Sequence, residues 1–203
     1  MNILGFCCAL NNSYLALLKN DTITSKIIKS DENYHSLYLI NEIKEILKNN
    51  SLNFNEINLI TVNTGPGSFT GIRVALTIAR VMAFELNIPI VPLNTAQILL
   101  EAYNKKYLLM DARRDMYYLA TKDKIELIKK DDIENLAQED MLCDKRCSEL
   151  YKDALCFEDE DKDLALIMIK LAYEIYNHTQ DKNQFKYENT KANYIQTPPI
   201  FGI

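Results

Sequence analysis

Residues 61–86 read TVNTGPGSFTGIRVALTIARVMAFEL, and the rest of the predicted fold is arranged around this stretch. Three of the five glycines of the chain lie close together in it, at positions 65, 67 and 71. An apolar, β-branched run at residues 57–62 precedes them, and a long helical pattern follows. The predicted order is therefore a strand, a glycine-rich loop and a helix.

The loop has features that suit a phosphate. A loop between a strand and a helix points unpaired backbone N–H groups and the positive end of the helix dipole at one place. Glycine allows the backbone to approach a ligand closely, and Ser68 or Thr70 can cap the first turn. The candidate phosphate-facing residues are Gly65, Gly67, Ser68, Thr70 and Gly71. A tight turn at the first two glycines and close helix packing at the third would explain the same pattern.

Two familiar nucleotide loops do not fit this pattern. A Walker A loop is excluded because no Gly-Lys-Ser/Thr follows, and Thr70 stands where a dinucleotide fingerprint has its third glycine.

The helix after the loop is apolar around most of its circumference. At about 100° per residue, only Arg73, Thr77 and Arg80 form a narrow polar strip. Such a helix is either central to a large core, or it packs on its own sheet and also presents a face to a partner protein. For the second interpretation, the predicted interface residues are Ile72, Ala75, Leu76, Ala79, Met82 and Ala83, with Leu37 and Ile40 on the preceding helix.

The segment NTGPGSFTGIR at residues 63–73 resembles the signature of the TsaB (YeaZ) family, the bacterial threonylcarbamoyladenosine proteins related to the TsaD family. Three further motifs match in the same order. They are His35-Ser36 at a helix start, PIVPL at 89–93, and DARR at 111–114 followed by MYY at 116–118. The resemblance covers about residues 1–120 and is faint beyond them.

The periodicity independently supports the fold that this resemblance implies. Residues 2–9, 12–18 and 22–29 are predicted as three antiparallel strands, and 33–48 as an amphipathic helix. With the strand and helix of the glycine stretch, the order is βββαβα. Each half of the actin, sugar-kinase and Hsp70 superfamily is built in this order. The predicted fold class is α/β, of this actin-like (ASKHA, ribonuclease H-like) type with two lobes, the second reduced.

Three more predicted strands, at 106–111, 115–121 and 124–129, indicate the second lobe, and residues 140–157 are hard to interpret. The predicted division is 1–103 with a returning helix at 161–178, then 104–160, then a polar tail at 179–203.

The composition excludes several classes of protein. The chain has 203 residues, 48% of them hydrophobic, and a net charge of -5, which argues against a broad nucleic-acid surface. No apolar run is long enough for a membrane span, so a cytoplasmic protein is expected. The odd count of five cysteines predicts reduced thiols, and the spacing of Cys143 and Cys147 is only a weak zinc signal, so no metal is predicted.

Residues that catalysis would need are largely missing. Phosphotransferases of this superfamily carry an acidic residue on the first strand, and the strand at residues 3–9 has none. TsaD enzymes carry a histidine pair on the helix that corresponds to residues 95–103, which contains no histidine. His35 is interpreted as a capping or packing residue. Asp111 and Arg113 either pair with each other or bind a polar ligand.

The resemblance therefore implies a non-catalytic partner of TsaD in the formation of the threonylcarbamoyl group on adenosine 37 of tRNAs reading codons that begin with A. It implies a TsaD-like partner and a TsaE-like ATPase, tRNA contact only through the complex, and a homodimer when TsaD is absent. No cofactor of its own is implied, with ADP or ATP placed at the interface of the complex. The alternatives are a small ATP-dependent kinase or ATPase, a peptidase of the same superfold, or a nucleotide-sensing regulator.

Overall fold

The computed structural model describes residues 1–29, 35–133, 137–160 and 162–195. They form two compact units, Met1–Thr95 with Asp163–Asn193, and Ala96–Lys162 with the described residues after Asn193. The strands are β1 (Ile3–Cys7), β2 (Ser13–Lys19), β3 (Thr22–Ile28), β4 (Leu59–Asn63), β5 (Ile90–Leu93), β6 (Tyr107–Asp111), β7 (Met116–Ala120), β8 (Ile125–Lys129), β9 (Met141–Cys143) and β10 (Leu155–Cys156). The helices are α1 (His35–Asn49), α2 (Phe69–Leu86), α3 (Thr95–Tyr103), α4 (Lys145–Ser148) and α5 (Leu164–His178).

The first unit is built on a five-stranded sheet in the order β3-β2-β1-β4-β5. Polar turns join β1, β2 and β3, which pair antiparallel as predicted. β4 lies parallel to β1, and β5 lies parallel to β4, so α2 connects two parallel neighbours. The predicted order βββαβα is confirmed for this unit.

Helices cover both faces of this sheet. Every residue of β1 and β4 is buried, as expected for central strands that have no face in water. α5 packs over Gly5 of β1 through Ile169, while α1 and α2 contact each other and strands of the sheet. The sheet therefore fixes the position of α2 and of the loop that precedes it.

Residues 181–193, which we call the 181–193 segment, stay with the first unit after α5 ends. Phe185 is 3% exposed and its ring contacts a tyrosine of α5. At the other end, the Asn193 N–H donates a hydrogen bond to the Thr64 carbonyl (2.8 Å). The polar tail predicted at 179–203 therefore belongs to the first unit as far as Asn193. A buried aromatic side chain and a backbone hydrogen bond hold this part of the tail in place. Residues 196–203 lie outside the described part.

The second unit contains a five-stranded sheet in the order β10-β9-β6-β7-β8. Its first three strands agree with the predicted ones to within a residue or two at each end. The stretch that was hard to interpret supplies β9, α4 and β10, and the Asp144 side chain caps α4 by accepting from the Cys147 N–H (2.9 Å). Cys143 and Cys147 lie in the apolar core of the unit, with Leu109 and Met141.

The boundary between the units differs from the predicted one. It falls after Thr95 and not after residue 103, since most of α3 groups with the second unit. The periodicity of a short apolar helix does not indicate which sheet the helix joins. The returning helix begins at Leu164, and position 161 is outside the described residues. Within the described part of the chain, no helix has the length and apolar character that a membrane span requires.

Candidate functional site

The glycine loop is held at its start by Asn63, the last residue of β4. This side chain is fully buried, and its Oδ1 accepts a hydrogen bond from the Gly65 N–H (2.7 Å). The same oxygen lies 3.2 Å from the hydroxyl of Thr95, whose own N–H donates to the Gly65 carbonyl (3.0 Å). The loop is therefore fixed by internal hydrogen bonds before α2 begins.

The chain's own backbone occupies the space beside two of the glycines. A Cβ at Gly67 would lie 2.2 Å from the Ala9 carbonyl oxygen, and one at Gly71 would lie 1.7 Å from that of Cys8. Gly67 also has a φ of 153°, which side-chain-bearing residues rarely adopt. Both glycines therefore allow the start of α2 to lie directly against the connection between β1 and β2.

Two backbone N–H groups at the start of α2 donate hydrogen bonds to other groups of the protein. The Ser68 N–H donates to the Ala9 carbonyl (2.7 Å), and the Ser68 hydroxyl caps α2 by accepting from the Gly71 N–H (3.2 Å). The predicted cap by Ser68 is confirmed. The interpretation as a tight turn with close packing accounts for the glycines. The predicted phosphate-facing role of the loop, at Gly65, Gly67, Ser68, Thr70 and Gly71, stays a prediction.

The structure corrects the predicted partner face of α2. All six residues assigned to it are buried within the protein, because they face the sheet and α1. They are Ile72, Ala75, Leu76, Ala79, Met82 and Ala83. Of the two residues assigned on α1, Ile40 is 47% exposed, and the side chain of Leu37 lies outside what the structure describes. The small-residue line through Ala79 therefore serves packing inside the chain.

The opposite side of α2, which we call the outward face, combines the polar strip with apolar residues. Val81 is 62% exposed and Phe84 is 64% exposed, although both are large and apolar. Nearer the helix start, the Arg73 guanidinium lies 3.8 Å from the centroid of the Phe69 ring. The outward face is made of Phe69, Arg73, Thr77, Arg80, Val81 and Phe84.

Tyr187 of the 181–193 segment adds a residue that the sequence did not indicate. Its ring meets Phe84 edge to face, with centroids 5.4 Å apart and an interplanar angle of 78°. Loss of solvation, and then a hydrogen bond to Glu188, raise the pKa of Tyr187, while the charge of Arg80 opposes them. Tyr187 therefore packs against Phe84, within electrostatic reach of Arg80. The only available signal was a pair of aromatic residues, Phe185 and Tyr187, in an otherwise polar stretch.

Asp111, at the end of β6, has an ion-pair partner that sequence did not indicate. Its Oδ2 lies 2.6 Å from Arg146 Nη1 and 3.9 Å from Arg113 Nε. Burial raises the pKa of Asp111, but hydrogen bonds from the Arg113 N–H and the Arg146 guanidinium outweigh it and hold the pKa below its usual value. Asp111 and Arg113 do pair as predicted, but mainly through the backbone N–H of Arg113. The guanidinium closer to the Asp111 carboxylate is that of Arg146.

The cysteines are all buried and free. Burial raises the pKa of Cys7 and of Cys143 to about 12, so these thiols are poor nucleophiles near neutral pH. Among the described residues, no cluster of three or more His, Cys, Asp or Glu side chains could hold a metal ion. His35 begins α1, but its side chain lies outside what the structure describes.

Comparison with known proteins agrees with the resemblance. The model of the TsaD family, described as tRNA N6-adenosine threonylcarbamoyltransferase, matches residues 22–157. A protein of Buchnera aphidicola subsp. Baizongia pistaciae, named tRNA threonylcarbamoyladenosine biosynthesis protein TsaB, is 40% identical over 100 residues, which are 49% of this chain and 45% of that protein. The protein of the same name from Bacillus subtilis is 30% identical over 110 residues, 51% of this chain and 47% of that protein. The chain thus spans about half the length of the curated relatives it matches.

Two solved structures share the fold along nearly the whole chain. One, described as an uncharacterized protein with similarity to peptidase YEAZ from Pseudomonas aeruginosa, has a TM-score of 0.74 at 18% identity and covers 96% of this chain and 99% of its own. The other, YeaZ from Pseudomonas aeruginosa, has a TM-score of 0.66 at 19% identity and covers 87% and 92%. The predicted α/β fold of the actin-like class is confirmed. With a family model that matches most of its length, this chain belongs to the TsaD family, as a protein of the TsaB (YeaZ) type.

Proposed function

We propose that this chain is a non-catalytic subunit that acts with a TsaD-like protein when a threonylcarbamoyl group is placed on adenosine 37 of tRNAs reading codons that begin with A. The names of its relatives support the pathway. The observation that carries the partner role is the outward face of α2, where Val81 and Phe84 are exposed.

The outward face offers enough apolar area for a partner to use. Full burial of a Val or Phe side chain contributes about 1.5–3 kcal/mol, so two such residues can anchor an interface. Contiguous exposed apolar patches mark interaction sites, and aromatic residues are enriched in the centres of protein interfaces. A TsaD-like protein is the proposed occupant, since the family of this chain includes TsaD itself.

The first strand and the loop support a non-catalytic role. β1 contains no carboxylate and is completely buried, so it offers no group that could hold a metal beside a nucleotide. The glycines of the loop have the chain's own carbonyls beside them. We therefore place ADP or ATP at the interface of the complex, with a TsaE-like ATPase, and tRNA in contact with the complex and not with this chain alone. The cytoplasm is the compartment that this role requires.

A reconstitution tests the proposal. The chain, the TsaD-like and the TsaE-like protein of the same organism would be purified, and tRNA modification measured by mass spectrometry of the nucleosides. We expect modification to require this chain, and ATP hydrolysis by this chain alone to equal a buffer control. Magnesium-dependent ATP turnover or peptide cleavage by the isolated chain, abolished by one substitution in it, would overturn the proposal.

A further inference from the structure

The 181–193 segment is held in place beside the outward face of α2. One end is fixed by Phe185, which is buried against α5, and the other by the hydrogen bond from Asn193 to Thr64. Between these points Tyr187 packs on Phe84, and Thr190 is buried. The segment therefore presents Tyr187 in one position, and a preorganised side chain loses little conformational entropy when a partner binds.

The charge of this region is opposite to that of the chain. Residues 69–86 and 186–193 contain four basic residues, Arg73, Arg80, Lys186 and Lys191, and two acidic ones, Glu85 and Glu188. The whole chain has a net charge of -5. A local excess of positive charge around exposed aromatic rings fits a partner that is apolar at its centre and acidic at its rim.

We infer that the 181–193 segment forms part of the partner-binding surface, with Phe84 and Tyr187 as a joint aromatic anchor and basic side chains around them. This inference rests on the proposed function and takes the TsaD-like protein as the occupant, bound through an apolar helix surface that carries carboxylates at its edge. A second copy of this chain fits less well. A two-fold contact would place the same basic region against itself, and like charges in contact disfavour association.

Affinity measurements on single variants test this surface. The affinity for the purified TsaD-like protein of the same organism would be measured for wild type, Phe84→Ala, Tyr187→Ala and the double variant, with circular dichroism as the folding control. Tyr173→Ala is the matched control, because Tyr173 is an exposed aromatic residue on α5. We expect each single variant to weaken binding at least tenfold and the control to bind as wild type. Because the two rings pack on each other, the fold-loss of affinity in the double variant should be smaller than the product of the two single fold-losses.

Charge reversal provides a second measurement that does not depend on aromatic packing. Lys186 and Lys191 are exposed, so Lys186→Glu and Lys191→Glu are expected to fold normally. We expect the double variant Lys186→Glu/Lys191→Glu to associate with the TsaD-like protein severalfold more slowly at low salt. The association rate of this variant should also depend less on salt concentration than that of wild type.

The outcomes separate the two proposals. If wild type binds and Phe84→Ala weakens binding while Tyr187→Ala and the charge reversals do not, the 181–193 segment is not part of the surface, and this inference alone fails. If wild type does not bind the TsaD-like protein, the proposed function fails as well. A wild-type homodimer that Tyr187→Ala dissociates, without binding to the TsaD-like protein, would assign the surface to a second copy and overturn the inference.

Discussion

Replacing Gly71 by alanine should destabilise the first unit, although alanine is the better helix former. The new Cβ would lie 1.7 Å from the carbonyl oxygen of Cys8 and 2.8 Å from its carbonyl carbon. Both atoms belong to backbone that no side-chain rotation can move away. The start of α2 must therefore shift, and the shift breaks the hydrogen bond from the Ser68 N–H to the Ala9 carbonyl.

The expected change in the free energy of unfolding is the sum of one stabilising and two destabilising contributions. Alanine in place of glycine favours the helix by about 1 kcal/mol. Overpacking costs about 1–3 kcal/mol, and a contact this short with backbone belongs near the upper end. The lost hydrogen bond costs about 1 kcal/mol more. The net loss is about 3 kcal/mol, or a fall in Tm of roughly 6–12 °C for a chain of this size.

Urea and thermal unfolding followed by circular dichroism measure this loss directly. The matched control is Thr70→Ala, since Thr70 is the exposed neighbour in the same helical turn and its loss should change stability by no more than about 0.5 kcal/mol. A Gly71→Ala variant that is as stable as wild type, or more stable, would refute the packing of α2 against Cys8.

Three further outcomes are expected. Ala79→Glu should abolish the native circular dichroism spectrum, because Ala79 is completely buried and a carboxylate there has no solvation; a folded variant would contradict the orientation of α2. Asp111→Asn should lower stability by about 1 kcal/mol at pH 7. Because the folded pKa of Asp111 is lowered, its contribution is complete above the unfolded pKa of about 3.9 and is lost as the pH falls through the folded value. The difference between wild type and Asp111→Asn in urea should therefore shrink below about pH 4, and a constant difference would count against the ion pair with Arg146. The five cysteines should react with a disulfide reagent at pH 8 only after denaturation, and rapid labelling of the native protein would show that they are not buried as described.

Local patterns were sufficient for the order of the elements in the first unit and for β6, β7 and β8 of the second, but not for β9, α4 and β10. β1, β2 and β3 alternate with polar turns, and α1, the strand β4, the glycine loop and the long helix α2 follow. The glycines at 67 and 71 also indicated correctly that backbone approaches closely there. What approaches is the carbonyl of Ala9 and of Cys8, about sixty residues earlier in the chain. A pattern of glycines indicates that another part of the chain approaches closely, but it does not identify that part.

The orientation of α2 could not be read from hydrophobicity. The helix is apolar around most of its circumference, so buried Ala79 and exposed Val81 and Phe84 carry the same signal. Exposure is decided by where α1 and the sheet lie, which are long-range contacts. The docking of the 181–193 segment was missed for a similar reason, because a mostly polar stretch is anchored by two aromatic side chains, Phe185 and Tyr187, and by a backbone hydrogen bond that no sequence pattern shows.

If the outward face of α2 binds the TsaD-like protein, the variant Val81→Glu should lose affinity for that protein. Val81 is 62% exposed, so the variant should fold as wild type by circular dichroism. In the complex its carboxylate would be buried without a partner, and we expect affinity to fall on the order of 100-fold or more. Tyr173→Glu, on exposed α5 surface, should bind as wild type. A folded Val81→Glu protein that binds the TsaD-like protein as tightly as wild type does would contradict binding through the outward face.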